Sequence, residues 1–277
     1  MDILKSILYG LLEGITEWLP ISSTGHMIIL NEFVRFDQPD SFMSVFLVVI
    51  QLGAILAVVI RFWKKLWPFG KNSGGKVIAK KDRFSLWGKI IVACLPAAVV
   101  GVLFDRQIED LFYNAVSVAI ALIVFGVAFI VVERANKNRK PRISSMDDID
   151  YKTAFLIGLF QVLAAVFPGT SRSGATIIGA LILGVSRTAA AEFTFCLAVP
   201  VMIGASCLKI VQYGGGFTGS QIGIIAAGMI TAFFVSALVI RFLMGYVKKH
   251  DFQIFGWYRI CLGILVLALH FAGVLEV

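Results

Sequence analysis

Six apolar stretches of about 20 residues limit what this chain can fold into more than any other feature of its sequence. A hydrocarbon core about 30 Å thick is crossed by roughly 20 helical residues. The stretches that meet this length are Phe42–Ile60, Leu86–Phe104, Val116–Val132, Ala189–Ile210, Ile222–Phe242 and Phe255–Phe271. Only 15% of the residues are charged and 58% are hydrophobic, whereas soluble domains carry about a quarter charged residues. The sequence therefore predicts an all-α polytopic membrane protein, with residues 1–277 forming a single integral membrane domain.

Two further apolar segments are interrupted in their middle. Ile3–Leu19 ends at Pro20 and a Ser-Ser-Thr-Gly run, and Ala154–Phe167 ends at Pro168 and Gly169. Each resumes for only about ten apolar residues, which is too short to cross a bilayer. Non-helical backbone at membrane depth is tolerated where protein or a water-filled cavity surrounds it. Both segments are therefore predicted to be re-entrant helix hairpins, and we expect the two to meet.

The two halves of the chain resemble each other in the order of these elements. The matched positions are Gly10 with Gly158, Glu13 with Gln161, Pro20 with Pro168, and Ser22 and Ser23 with Thr170 and Ser171. Each half holds one hairpin and three spans, an odd number of crossings, so two inverted-topology repeats are predicted. Repeat one covers about 1–135, a cytoplasmic link about 136–150 and repeat two about 151–277.

The basic residues fall into connections that this topology places on one side. Residues 61–83 include eight Lys or Arg and one acid, and 134–142 and 241–249 are also basic. By the positive-inside rule these connections are cytoplasmic and both termini lie outside. Since topology accounts for the net charge of +8, no nucleic-acid partner is predicted.

The first hairpin carries two acids in the segment Glu13–His26, EGITEWLPISSTGH. Glu13 and Glu17 lie four residues apart, so on a helix they share one face. They could bind a metal ion, act as general acid and base, or form a structural pair. A merely solvated face is disfavoured because the surrounding segment is apolar and acids are costly at membrane depth.

The same segment contains Ser22, Ser23 and Thr24, followed closely by His26. Ser and Thr before a helix are common N-caps, which is the plainer interpretation. A serine, a histidine and two acids also supply the parts for nucleophile and base chemistry. Ser23 is the candidate nucleophile, with His26 moving the proton. The alternative is a metal-activated water that Ser23 only positions.

The second hairpin contains Arg172 between Ser171 and Ser173. A guanidinium keeps its charge, so at membrane depth Arg172 needs an anionic partner. That partner is either a carboxylate of the first hairpin or a phosphate. A phosphate would be held by Arg172, the hydroxyls of the two loops and the N-termini of both half-helices. The candidate hydroxyls are those of Ser171, Ser173, Ser22 and Thr24. A divalent cation on Glu13 and Glu17 would balance the phosphate charge.

At these residues the chain resembles the undecaprenyl-diphosphate phosphatase family of bacteria, also called the bacitracin-resistance protein family. The resemblance covers nearly the full length and rests on three motifs: EGITEWLPISSTGH (Glu13–His26), PGTSRSGAT (Pro168–Thr176) and, less specifically, VIQLGAILAVV (Val49–Val59). It implies a phosphatase of the bacterial plasma membrane that yields undecaprenyl phosphate for cell-wall synthesis. It also implies dependence on Mg²⁺ or Ca²⁺ and an active site that opens to the outer face.

The resemblance extends to partners. It implies undecaprenyl diphosphate as the lipid substrate within the membrane, and bacitracin as an indirect competitor that binds this substrate. It leaves the oligomeric state open, with a homodimer as one candidate. The alternative function from another class is a polyprenyl-lipid flippase or transporter with an intramembrane anion site, because inverted repeats suit alternating access.

Overall fold

The computed structural model describes residues 1–71 and 77–275, which form eleven α-helices. In chain order the helices are α1 Asp2–Thr16, α2 Ser23–Phe33, α3 Asp40–Arg61, α4 Trp63–Leu66, α5 Lys81–Phe112, α6 Ala115–Asn136, α7 Tyr151–Val166, α8 Arg172–Ile182, α9 Arg187–Tyr213, α10 Gly219–Tyr246 and α11 Gln253–Phe271. A short 3-10 turn, Met146–Asp148, lies in the link between the two halves.

Six of these helices are long and apolar enough to cross a membrane: α3, α5, α6, α9, α10 and α11. Each contains one of the six predicted spans, whose helical conformation and sufficient length are thereby confirmed. Helices satisfy their backbone hydrogen bonds internally, as hydrocarbon surroundings require. Large apolar side chains such as Val102, Phe234 and Leu238 are exposed on the outer faces, as expected of surfaces that contact lipid.

The two interrupted segments form short helix pairs, α1 with α2 and α7 with α8. Helix α1 ends at Thr16, earlier than the predicted Leu19, and Glu17 becomes its C-cap. The N–H of Glu17 still donates to the carbonyl of Glu13, at 3.0 Å, so the two acids keep their one-turn spacing. Helix α8 begins at Arg172, which places the arginine in its first turn.

The two halves interlock by exchanging their first helices. Helix α1 packs on α10 of the second half, and α7 packs on α5 of the first half. Gly10 lies against the carbonyl of Gly228, and the matched Gly158 against that of Ala93, so closely that a Cβ would overlap either carbonyl. The shared contact pattern supports two structural repeats. Their opposite orientation across a membrane stays a prediction.

One residue match within the repeat is wrong. The residue that caps α2 is Ser22 and the one that caps α8 is Ser171, so Ser22 corresponds to Ser171 and not to Thr170. The second loop has two residues between its proline and its cap, whereas the first has only Ile21. Consequently Ser23 and Arg172 occupy equivalent first positions of the two short helices.

The connection before α5 adds a small element that the all-α prediction lacks. Strand β1 (Phe69–Lys71) pairs antiparallel with β2 (Val77–Ala79), with Gly70 opposite Ile78. Lys76, one of the basic residues expected in this connection, lies outside the described residues.

The first hairpin loop and the short helix of the second hairpin pack into the largest buried cluster. Trp18 of the first loop packs edge-on against Phe195 of α9, with 5.2 Å between ring centroids. Ile177 of α8 and Ile90 of α5 belong to the same cluster. The irregular backbone of the first loop is thus surrounded by protein, the condition under which such backbone is tolerated at membrane depth.

Candidate active site

Each loop turns into its short helix through a serine with a strained backbone. Ser22 has φ 75° and Ser171 has φ 68°, and they are the only described residues other than glycine with positive φ. Each hydroxyl accepts a hydrogen bond from a backbone N–H three residues on, that of Gly25 at 3.4 Å and that of Gly174 at 3.2 Å. Such conformations cost about 1–3 kcal/mol each and cluster at functional sites. The two caps therefore mark the loop ends as a candidate site.

Glu17 joins the two hairpins. Ser23 Oγ donates to Glu17 Oε2 at 2.8 Å, and Arg172 Nη2 donates to Glu17 Oε1 at 2.9 Å. Ser173 Oγ donates to the backbone carbonyl of Glu17 at 3.2 Å. The expectation that the two hairpins meet is confirmed by these contacts, and the anionic partner of Arg172 in the protein alone is a carboxylate of the first hairpin.

The same contacts bring two helix N-termini together. Ser23 is the first residue of α2 and Arg172 is the first residue of α8, and each binds one oxygen of Glu17. Each helix start carries a partial positive charge and free N–H groups. The helix starts and the Arg172 guanidinium supply donors suited to phosphate, while Glu17 balances the charge of Arg172.

Unpartnered polar atoms concentrate around this junction. Within the described residues, eight buried side-chain polar atoms lack a hydrogen-bond partner, and all except Ser236 Oγ belong to the two hairpins or to Arg259. They include the donor Arg172 Nη1, the acceptor Glu13 Oε1 and both amide atoms of Gln161. Leaving one such group unsatisfied costs about 1–3 kcal/mol, and buried polar groups are ordinarily bonded. The atoms left over are those that a polar ligand would engage.

Glu13 and Glu17 provide only some of the ligands that a divalent cation needs. Glu13 is 1% exposed, and the charges acting on it are those of Glu17 and Arg172. No group of three or more His, Cys, Asp or Glu side chains forms a metal site among the described residues. Mg²⁺ is commonly held by one or two carboxylates together with waters and substrate phosphates. The donor set therefore suits a cation that binds together with a phosphate.

His26 points away from the serine that it was expected to serve. Its Nδ1 lies 2.7 Å from the carbonyl of Ser22 and its Nε2 lies 2.7 Å from Tyr258 Oη. A carbonyl only accepts, so in the neutral ring Nδ1 carries the proton and Tyr258 donates to Nε2. No hydrogen bond joins His26 to Ser23 in the part of the chain that the structure describes. The carboxylate in contact with Ser23 is that of Glu17.

Of the four hydroxyl residues predicted to bind phosphate, two are buried and two are half-buried. The Ser22 side chain is fully buried and serves as a helix cap. Ser171 Oγ lies 3.1 Å from Ser173 Oγ, and Ser171 and Thr24 are half-buried near the helix starts. A role for these four hydroxyls in phosphate binding stays a prediction.

Sequence reasoning missed Arg259 of α11, which is fully buried. Its Nη1 donates to the carbonyl of Pro20 at 3.3 Å, and its Nη2 donates to those of Gly169 and Thr170 at 2.9 and 2.7 Å. One guanidinium thus ties the first loop to the second. The sequence contained a signal for Arg259, because burying an arginine in an apolar span is costly and such a residue is by default a candidate functional residue.

Comparison with known proteins gives one consistent result. Residues 6–265 match the family described as bacitracin resistance protein BacA. The chain is 58% identical over 267 residues to the undecaprenyl-diphosphatase of Desulfitobacterium hafniense, covering 96% of this chain and 95% of that protein. It is 59% identical over 267 residues to undecaprenyl-diphosphatase 1 of Clostridium acetobutylicum, covering 96% and 97%. It is 57% identical over 267 residues to an undecaprenyl-diphosphatase of Enterococcus faecalis, covering 96% of each chain.

Proposed function

The chain belongs to the bacitracin resistance protein BacA family, and on that premise we propose that it hydrolyses undecaprenyl diphosphate to undecaprenyl phosphate and inorganic phosphate. The observation that carries the proposal is the convergence of Ser23 and Arg172 on the two oxygens of Glu17. This brings a hydroxyl nucleophile, a carboxylate base and a phosphate-binding cation into one site. The product is the lipid carrier that cell-wall synthesis reuses, and bacitracin would act by binding the substrate.

The protein is proposed to lie in the bacterial plasma membrane with its active site open to the outer face. Six helices of membrane-spanning length support a multi-pass arrangement. The basic connections are assigned to the cytoplasm by the positive-inside rule, which leaves both termini outside. In this orientation the two repeats are inverted, the first hairpin enters from outside and the second from the cytoplasm. The polyprenyl tail stays in lipid between helices.

The terminal phosphate of the substrate is held by Arg172 and the two helix starts. Arg172 Nη1 is buried without a protein partner, so it can donate to a phosphate oxygen while Nη2 stays on Glu17. Fixed donors of this kind stabilise the charge that develops on the phosphoryl oxygens during transfer. A divalent cation, Mg²⁺ or Ca²⁺, bound by Glu13 and Glu17 would neutralise further phosphate charge.

The contacts of Ser23 favour covalent catalysis with Glu17 as base. Ser23 Oγ forms a bond to the terminal phosphorus, and its proton passes to Glu17 Oε2, 2.8 Å away. The bond from that phosphorus to the bridging oxygen breaks, and undecaprenyl phosphate leaves with the bonding electrons. Water then replaces Ser23 on phosphorus: its hydroxyl oxygen stays on the phosphate and its second proton goes to solvent, while Glu17 returns the first proton to Oγ. In the alternative mechanism water attacks directly and Ser23 only positions it.

A lipid transporter is the second candidate function. The observation in its favour is the exchanged packing of α1 on α10 and of α7 on α5, since paired repeats around a central site suit alternating access. A transporter would bind the diphosphate lipid and release no phosphate, so the same assay distinguishes the two functions.

Purified protein in detergent is expected to release phosphate from a polyprenyl diphosphate, and a chelator is expected to lower the rate at least about 100-fold, because a bound cation contributes several kcal/mol to charge stabilisation. Phosphate is measured colorimetrically, with Mg²⁺ and Ca²⁺ added back separately. Release that is indifferent to the chelator would remove the cation from the mechanism. Folded protein that binds the lipid and releases nothing would favour the transporter.

Replacing Ser23 by alanine is expected to lower kcat by about 1,000-fold or more with little change in KM, because the nucleophile acts only in the chemical step. Acid quenching of the wild-type reaction should trap phosphate on Ser23, detected by mass spectrometry of the peptide. The matched control is Ser144→Ala, in the exposed link, which should behave as wild type. Turnover near the wild-type rate in Ser23→Ala would exclude the covalent step and leave water as the nucleophile.

A further inference from the structure

A second concentration of charge lies at the C-terminal end of α8, the end opposite its strained cap. A cavity of about 350 Å³ opens there between the end of α6, the link, the start of α9 and the end of α10. Five of its lining side chains are basic and one is acidic: Arg139, Lys140, Arg142, Arg187, Lys248 and Glu133. We call this the basic cavity.

The acid of the basic cavity is already neutralised. Arg187 holds the carboxylate of Glu133 from two nitrogens, with 2.9 Å from Nε to Oε1 and 2.5 Å from Nη2 to Oε2. The backbone N–H of Phe252 donates to Oε1 at 3.0 Å. No ion pair within the described residues involves the other four basic side chains. The cavity therefore keeps four basic side chains that form no ion pair among these residues, and one of them, Arg142, interacts electrostatically with Asp150.

The length of α8 would place the basic cavity at the surface of the membrane if the helix starts near the midplane and runs along the membrane normal. The helix has 11 residues, which corresponds to about 16 Å. Half of a hydrocarbon core measures about 15 Å. If α8 starts near the midplane, it ends at the level of the lipid headgroups. Helices α6 and α10 also end at this cavity and α9 begins there, as expected at a boundary with water.

The lining combines these cations with apolar groups. Leu181, Ile182 and Val247 line the same cavity, and Ile182 is 51% exposed. The positive charge comes from the basic side chains, because the C-terminal ends of α6, α8 and α10 oppose the partial positive charge at the start of α9. A soluble anion would need only the charges, whereas an apolar surface beside them suits a ligand with a headgroup and a hydrocarbon chain.

The equivalent end of the first repeat, at the end of α2, has no comparable excess of basic residues. Residues 31–40, which include the end of α2, contain Glu32, Asp37 and Asp40 and only one base, Arg35. Arg35 is paired with Glu32 at 2.6 Å. The basic cavity is therefore not a by-product of the repeat; it belongs to one face of the protein only.

We propose that the basic cavity binds the phosphate headgroup of an anionic membrane lipid. Lys140, Arg142 and Lys248 provide the charge for the phosphate, and the hydrocarbon chains lie along Ile182. Basic pockets between transmembrane helices bind such headgroups on the cytoplasmic side of membranes. The binding is separate from phosphate hydrolysis, because the cavity and the junction at Glu17 lie at opposite ends of α8.

The test measures lipid retention by native mass spectrometry of the full-length protein in detergent. Phosphatidylglycerol and phosphatidylcholine with identical chains are added in parallel, and inorganic phosphate is the competitor. Wild type should retain phosphatidylglycerol preferentially. The double variant Lys140→Gln and Lys248→Gln should retain it about 25-fold less, since each such cation contributes roughly fivefold to binding of an anionic lipid. The matched control, Lys80→Gln with Lys81→Gln, removes two exposed cations outside the cavity and should behave as wild type.

Three results would overturn the proposal: equal retention of the two lipids by wild type, equal losses in the double variant and its control, or displacement of phosphatidylglycerol by millimolar inorganic phosphate. The last would identify free phosphate as the occupant. Thermal unfolding of both double variants checks that they fold. If the cavity variant does not fold, the single variants Lys140→Gln and Lys248→Gln replace it, each with an expected loss of about fivefold.

Discussion

Phosphate release is expected to fall at least about 1,000-fold when Arg172 is replaced by alanine. Guanidinium groups that neutralise a transferring phosphoryl group contribute roughly 10³–10⁵ to turnover. In addition, Glu17 would keep its buried charge without Arg172, whose Nη2 lies 2.9 Å from Oε1. Breaking a buried ion pair on one side destabilises by about 3–5 kcal/mol. The measurements are kcat and KM for a polyprenyl diphosphate and the thermal midpoint of each variant.

Two further variants separate chemistry from stability. Arg172→Ala combined with Glu17→Gln removes both charges, so stability should recover while activity stays lost. Arg172→Lys keeps the charge but loses the planar donor pair, so an intermediate rate is expected. The matched control is Arg35→Ala, which breaks the exposed pair with Glu32 and should cost at most about 1 kcal/mol. Activity above a tenth of wild type in Arg172→Ala would rule out its role at the phosphate.

Replacing Arg259 by alanine is expected to lower kcat by about 100-fold or more, although within the described residues it forms no hydrogen bond to Ser23 or Arg172. Its three hydrogen bonds hold the carbonyls of Pro20, Gly169 and Thr170. Without these hydrogen bonds residue 259 no longer connects the two loops. Misplacement of reacting groups by about 1 Å can lower the rate 10²-fold. Bonds to a charged donor contribute about 1.5–3 kcal/mol each, so a lower thermal midpoint is expected as well.

A positioning role for Arg259 predicts a readout that general destabilisation would not produce. Added guanidinium ion at low concentration should partly restore kcat in Arg259→Ala, because it can replace the missing donors between the loops. The matched control is Arg241→Ala on the exposed face of α10, which should keep full activity and show no response. A variant that melts earlier but turns over normally would show that Arg259 only stabilises the fold.

The membrane spans and the two interrupted segments could be predicted from the sequence alone. Whether a segment such as Phe42–Ile60 spans a membrane depends on its length and on transfer free energies that add along the chain. The interruptions at Pro20 and Pro168 are equally local, because proline and glycine act on their own backbone. The acids and the arginine of the two loops also stood out, since their cost at membrane depth is a property of the residue.

Only the tertiary structure decided which of these groups act together. Ser23 and Arg172 are 149 residues apart, yet they bind the two oxygens of one carboxylate. His26 forms a hydrogen bond with Tyr258, 232 residues away, and Arg259 donates to backbone carbonyls of both loops. Hydrogen bonds depend on distance and direction within fractions of an ångström, and those follow from how α1, α8 and α11 pack. Burial costs could therefore be predicted residue by residue, whereas the partners that offset them are fixed by the packing of distant segments.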